Sequence, residues 1–202
     1  VEKGDISILS DPWYFGSAFH EGWSLIHENK ESEIKDILNS VTHIWISHEH
    51  PDHFSVGFFK TYKDLLISKK IKFLFQETKD KRVINFLQSQ GFCVEELLDK
   101  KEYTLSNEVK ITCIKSSFYD SALKIQTGNK IILNLNDCPE REEKELRRFS
   151  KVNGLCDILL TQFSYAAWKG GIENKTWREE AAQEKIVNIM NQANILGAKY
   201  VI

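Results

Sequence analysis

Three of the chain's six histidines fall in one short stretch, "SHEHPDHFS" at 47–55. The pattern is His48-x-His50-x-Asp52-His53. Alternate residues of an extended segment point the same way, so His48 and His50 can converge on one ion. Asp52 and His53 come after Pro51 turns the chain, and can face a second ion beside the first. Imidazole and carboxylate donors suit zinc, iron or manganese, and the lack of thiolates argues against a structural cysteine-type zinc site. Two neighbouring ions can share a hydroxide that is nucleophilic at neutral pH. The expectation is therefore a divalent metal, up to two ions, zinc first with iron or manganese as alternatives. Asp52 is the candidate catalytic residue, as a ligand that also orients the nucleophile. Ser47 and Ser55 are candidates to hold the ligands in orientation. The competing reading is a solvated polar loop, and the strand-to-turn placement with its inserted acid weighs against it.

The remaining histidines carry weaker signals. His43 lies inside a strand pattern, where a histidine is more often a satisfied core residue than a ligand. His20 lies in the loop "SDPWYFGSAFHEGW" and is a candidate pocket residue. His27 has no partner signal.

The elements around the motif must position it. Residues 41–47 ("VTHIWIS") are β-branched and aromatic, a strand that delivers the chain into the histidines. Upstream, residues 5–9 alternate as a short strand, and 31–38 form a helix with Ile34, Ile37 and Leu38 on one face. Downstream, Ser55 is a candidate N-cap for a helix carrying Phe58, Phe59, Tyr62, Leu65 and Leu66. Residues 71–75 read as a buried strand, 81–90 as a helix closed by Gly91, and 92–98 as a strand. Residues 108–116, 121–126 and 130–136 read as a meander with "TGN" at its second turn. A charged helix is expected over 140–149 and a strand over 156–162. "TWRE" (176–179) has the form of a capping box opening a long helix, with Ala182, Ile186, Ile189, Met190 and Ala193 inward. Strands alternate with helices and then run as a meander, which gives an α/β (α+β) class with a mixed sheet. Periodicity fits two packed sheets covered by helices or a single open sheet.

The chain has 202 residues, 42% hydrophobic and 28% charged, so one domain over 1–202 with a sizeable core is expected. A formal charge of −2 with interspersed signs gives no basic face for nucleic acid or membrane. Neither a membrane-spanning apolar run nor a signal peptide is legible. The four cysteines have no CxxC spacing and sit in or beside apolar runs. They read as buried free thiols, which points to the cytoplasm. The first residue is Val1, and "GAKYVI" reads as a helix-ending Gly197 and an opening strand. The expectation is a fragment of a longer chain, incomplete at both termini.

With strand and helix flanking it, the HxHxDH pattern resembles the signature of the metallo-β-lactamase fold. Three further stretches, 10–25, "KIILNLNDC" (130–138) and "LLTQFSYAAWKGG" (159–171), resemble the metallo-β-lactamase-like domain of CMP-N-acetylneuraminate hydroxylase and its bacterial relatives. The resemblance spans nearly the whole chain. It implies an αββα sandwich with metals at the sheet edges, and metal-dependent hydrolases with some iron-dependent oxidoreductases. It implies Asp137 as the carboxylate bridging two metals, and a small-molecule substrate in surface-sugar metabolism, such as a sugar or nucleotide-sugar derivative. Asp137 also ends an apolar strand, where a carboxylate needs solvent or a cation. Its alternative role is to cap the helix expected near 140. Cys138 beside it reads as a buried thiol before a ligand.

The sequence departs from that pattern in two places. No histidine follows His53, so the usual third imidazole of the first metal is missing. The corresponding stretch, "KSSFYDS" (115–121), offers Asp120, either as a substitute oxygen ligand or as a turn former. The pattern's last histidine is also missing. The aromatic loops admit two uses, with Trp13, His20, Tyr165 and Trp168 as candidate pocket residues and packing of the loops onto the domain as the alternative. A metal-dependent hydrolase ranks first, an iron-dependent hydroxylase-like component second, and a binding module with a degenerate site third.

Overall fold

The computed structural model describes residues 1–139, 142–165 and 167–202. The chain opens with β1 (Glu2–Lys3) and β2 (Ile6–Ser10), followed by a small hairpin of β3 (Ser17–Ala18) and β4 (Trp23–Ser24). Helix α1 (Glu31–Ser40) leads to β5 (His43–Ile46), then α2 (Val56–Thr61), α3 (Lys63–Ser68), β6 (Lys72–Gln76), α4 (Arg82–Ser89) and β7 (Cys93–Leu97). The second half runs β8 (Glu102–Thr104), β9 (Val109–Lys115), β10 (Ser121–Thr127), β11 (Lys130–Asn136), α5 (Glu143–Asn153), β12 (Ile158–Thr161), α6 (Lys175–Leu196) and β13 (Tyr200–Val201).

Two main sheets result, ordered β1-β2-β5-β6-β7 and β13-β12-β11-β10-β9-β8. Strand alternation explains how they stack. In β5, Ile44 and Ile46 face a cluster with Phe58, Phe59, Leu66 and Leu38 from the helices. Trp45, between them in sequence, faces the opposite way and packs with Leu74, Ile111, Leu123 and Ile132, so it lies between the sheets. On the far side, Leu133 and Leu135 of β11 pack with Leu146 of α5 and Leu196 of α6. Three hydrophobic layers separated by two sheets define an αββα sandwich, which settles the choice left open by periodicity.

Both sheets send strand ends to one rim. β2, β5, β6 and β7 run parallel, so the loops after Ser10, Ile46 and Gln76 emerge together. β11 pairs parallel with β12, and its register shifts between Asn134 and Asn136. Asn136 is left-handed, at φ 50°. Such a bulge bends the strand end and re-aims the next side chain, here Asp137.

Several local expectations hold. Ser55 Oγ accepts a hydrogen bond from the Phe58 amide at 3.4 Å and caps α2. Ser55→Ala should therefore cost about 1 kcal/mol of unfolding free energy in a urea titration. An unchanged midpoint would show that the cap contributes nothing. Gly91, at φ 89°, ends α4 in a backbone region that Cβ disfavours.

Other expectations are corrected. Ile37 is exposed while Ile34 and Leu38 are buried. Cys93 is exposed; Cys113, Cys138 and Cys156 are buried, and none of the four is in a disulfide. The helix expected from 140 has its observed start at Glu143, and its first expected positions, 140 and 141, lie outside the described residues. The capping box at Thr176 does not form. Asn174 is the N-cap of α6, and its side chain accepts from the Gly171 amide at 3.0 Å. The inward face of α6 is also different: Ala181, Lys185, Gln192 and Leu196 are buried, whereas Ala182, Ile186 and Met190 are exposed and Ile189 and Ala193 half-buried. No helix is long and apolar enough to cross a membrane, among the described residues.

Candidate metal centre

The end of β5 is pinned from both sheets before the first histidine. The Ser47 amide donates to Asp11 Oδ1 at 2.8 Å. The Ser47 carbonyl accepts from Ser121 Oγ at 2.7 Å and from Gln76 Nε2 at 3.1 Å. Ser47 Oγ lies 2.9 Å from His48 Nδ1, which leaves Nε2 as the nitrogen that faces the rim. Fixing one ring nitrogen in this way selects the tautomer and aims the other at a metal.

The motif residues converge. His48 Nε2 is 2.8 Å from His50 Nδ1, and one ring nitrogen of each histidine and a carboxylate oxygen of Asp137 lie within 4.8 Å of one another. Asp120 comes from the opposite sheet, with Oδ1 3.7 Å from His48 Nε2. Its carbonyl accepts from the Ser116 amide at 2.9 Å, so it closes the turn into β10 while the residue is only 7% exposed. Both uses read from the sequence are thus compatible in one residue. Asp137 does not cap α5, whose N-cap is Glu142.

Around the second half, His53 Nε2 is 3.4 Å from Asp52 Oδ2 and 3.5 Å from Asp137 Oδ2. His53 Nδ1 is 3.2 Å from Asp11 Oδ2. Asp11 was not legible as a site residue. Its only sequence signal is that "SDP" ends a strand, and its closeness to His53 comes from the pairing of β2 with β5. Gln162, at the end of β12, was likewise missed; its Nε2 donates to Asp137 Oδ1 at 2.9 Å.

The electrostatics of this cluster are those of a cation site. Burial works against charge on His53, but the carboxylates of Asp11, Asp137 and Asp52 beside it outweigh that and carry its pKa up to about 12. Burial, with His53 and His50 nearby, pushes His48 down to about 4. Burial opposes ionisation of Asp137, yet its bonds to His53 hold it below the usual carboxylate range. Asp52 Oδ1 is buried with no hydrogen-bond partner among the described residues. A buried carboxylate oxygen in that state is costly unless a cation meets it. The donor set and this orphaned oxygen fit a bound metal cation, and the protonated His53 supplies positive charge among the carboxylates.

This has a measurable consequence. A ligating imidazole must be neutral, so His53 has to lose its proton when metal binds at pH 7, whereas His48 is already neutral. Metal binding should release about one proton, and apparent affinity should rise with pH. Calorimetry in buffers of different ionisation enthalpy reads this directly; a buffer-independent heat would contradict it.

The aromatic loops divide between the two expected uses. Tyr14 packs on Phe58 at 5.9 Å between ring centroids and Phe15 on Tyr62 at 6.2 Å, which fixes that loop to the domain. Tyr165 and Trp168 line a groove of about 520 Å³ with Phe19, Trp23 and Lys169. Phe19 also stands 5.8 Å from the His50 ring, so the groove adjoins the centre. Trp13 and His20 do not line it; Trp13 is half-buried and His20 exposed. His43 is buried and bonded through Nδ1 to Thr42 Oγ1 at 2.8 Å, as a structural histidine.

No family model matches the chain. Over 55 residues it is 44% identical to the cytidine monophosphate-N-acetylneuraminic acid hydroxylase of Sus scrofa and 40% identical to that of Asterias rubens. That stretch covers 27% of this chain and only 12% and 8% of those proteins, so the chain spans a small part of the curated relatives it matches. Among solved structures, CmlA, a diiron beta-hydroxylase from Streptomyces venezuelae, aligns with a TM-score of 0.63 at 14% identity over 97% of this chain and 40% of that one. A possible metal-dependent hydrolase from Veillonella parvula aligns at 0.61 and 16%, over 85% and 70%. YhfI from Bacillus subtilis, a metallo-beta-lactamase fold protein, aligns at 0.51 and 13%, over 85% and 78%. The chain has the metallo-β-lactamase fold.

Proposed function

We propose that this domain holds a dinuclear, carboxylate-rich metal centre and serves an iron-dependent hydroxylating enzyme. The observation that carries the reading is Asp120, buried beside His48 where the family pattern has a third imidazole. His48, His50 and Asp120 would hold one ion, Asp52 and His53 the other, and Asp137 both. Replacing an imidazole by a carboxylate makes the set richer in hard oxygen donors, which favours iron or manganese over the zinc ranked first from sequence. Bound iron would supply the redox chemistry of oxygen-dependent hydroxylation. The chain's own contribution is orientation: Ser47 fixes the His48 ring, and Asp11 holds His53 through Nδ1 so that Nε2 faces Asp52 and Asp137. The aromatic groove beside His50 is the substrate site in this reading, and Lys169 at its edge suits an anionic sugar or nucleotide-sugar derivative. The hydroxylases matched over 55 residues support that direction. The three buried cysteines, none in a disulfide, suit a reducing compartment, and we assign the protein to the cytoplasm.

A second reading is hydrolysis, as ranked first from sequence. It is favoured by Asp52, whose unpartnered Oδ1 can accept a proton from an attacking water. The two readings separate in one experiment. Protein loaded anaerobically with iron(II) is given a reductant, oxygen and a CMP-sugar, and zinc-loaded protein is given ester and phosphodiester substrates. Substrate-dependent oxygen uptake by the iron form supports hydroxylation. Turnover by the zinc form without oxygen uptake by the iron form overturns it in favour of hydrolysis.

A further inference from the structure

The inward stripe of α6 contains two polar residues that the sequence pattern places outside, and both reach the end of β12. Gln192 Oε1 accepts from Thr161 Oγ1 at 2.8 Å. Lys185, 8% exposed, donates from Nζ to Gln162 Oε1. Gln162 then donates from Nε2 to Asp137 Oδ1 at 2.9 Å. A buried ammonium is expensive to desolvate, so its place on a helix rich in apolar side chains calls for a reason.

The donor inventory supplies one. An ammonium has donors only and an ionised carboxylate acceptors only. The amide between them has one orientation that satisfies both: its oxygen toward Lys185 and its nitrogen toward Asp137. Reversing it would set N–H against N–H at the lysine and oxygen against oxygen at the aspartate. The lysine therefore fixes the amide, and the amide fixes the aspartate. With Oδ1 engaged by Gln162, Oδ2 is the oxygen turned to His53 Nε2 at 3.5 Å.

We propose that Lys185 is a positioning residue for the metal centre, acting through Gln162 to hold Asp137 so that Oδ2 is presented to the ions and Oδ1 is withheld. Lys185 acts through Gln162, to whose Oε1 it donates. Its role is to remove a rotational freedom that Asp137, on a bulged strand end, would otherwise have. The same contact couples the packing of α6 to the geometry of the centre. The inference rests on the metal-centre reading above and goes beyond it by naming a residue on a distant helix.

The test uses the full chain and cobalt(II), whose visible absorption reports its coordination. Lys185→Met keeps an unbranched side chain one atom shorter and removes the donor, and Lys185→Arg restores a cationic donor. Lys185→Met should weaken cobalt binding by about 10- to 100-fold and alter the visible spectrum, and Lys185→Arg should recover most of both. Gln162→Glu keeps the contact to Lys185 but sets a carboxylate against Asp137 Oδ1; it should weaken binding to a similar degree, and it serves as the second arm if Lys185→Met does not fold. A wild-type spectrum and affinity in Lys185→Met, or in Gln162→Glu where the first variant does not fold, overturns the positioning role and leaves the metal-centre reading intact. Absence of cobalt binding by the unmodified protein overturns both.

Discussion

Asp137→Ala is expected to strip metal from the protein, lowering affinity for both ions by more than about 100-fold each. The arithmetic comes from the overall strength of such sites. Metal binding worth roughly 10–16 kcal/mol, shared among the four ligands of one ion or the three of the other, assigns about 3–4 kcal/mol to each, which is over two decades of affinity. Asp137 is the donor placed to serve both halves. One of its oxygens groups with the His48 and His50 nitrogens, and Oδ2 faces His53. The fold should survive, because the three hydrophobic layers do not depend on this residue and His53 keeps Asp11 and Asp52 as partners. Elemental analysis after gel filtration checks the content, and circular dichroism checks the fold. Wild-type metal content in a folded Asp137→Ala protein would place the binding site elsewhere.

Asp120→His is expected to reverse the metal preference, by at least about tenfold toward zinc in a competition between equal concentrations of iron(II) and zinc(II). Softer, nitrogen-rich sets select zinc, and oxygen-rich sets favour the harder ions. The substitution is demanding, since Asp120 is buried and also closes the turn into β10. Asp120→Asn provides the isosteric control: it keeps the turn and the volume but removes the charge, and should weaken the ion held by His48 and His50 without favouring zinc. An unchanged iron-to-zinc ratio in Asp120→His together with unchanged metal affinity in Asp120→Asn would remove Asp120 from the ligand set and, with it, the argument for iron.

The parts of this protein that were legible in sequence are those governed by short-range geometry. His48, His50, Asp52 and His53 are a local pattern, and the strand delivering them follows from its β-branched and aromatic run. The alternation that sends Ile44 and Ile46 one way and Trp45 the other is equally local. Asp11 was not legible because it meets His53 only through the parallel pairing of β2 and β5. Asp120 was legible as a candidate substitute ligand or turn former, but its distance to His48 was not, since that approach requires the two sheets to face each other. The inward face of α6 was misread for a different reason. Hydrophobic periodicity selects Ile186 and Met190, which are 51% and 58% exposed, over Lys185 and Gln192, whose burial is supported by bonds to Gln162 and Thr161. A helix that carries polar contacts into a functional site breaks the rule by which its buried face is recognised. The capping box failed because Asn174, two residues earlier, starts the helix instead of Thr176.

The most direct test of the dinuclear, oxygen-rich centre is an anaerobic titration of the metal-free protein with iron(II), followed by Mössbauer spectroscopy of the loaded sample. The arrangement of His48, His50 and Asp120 on one side, Asp52 and His53 on the other, and Asp137 between them predicts about two bound ferrous ions per chain, both with mixed nitrogen and oxygen coordination. Saturation at a single ion, or no retained iron from a folded sample, would contradict it.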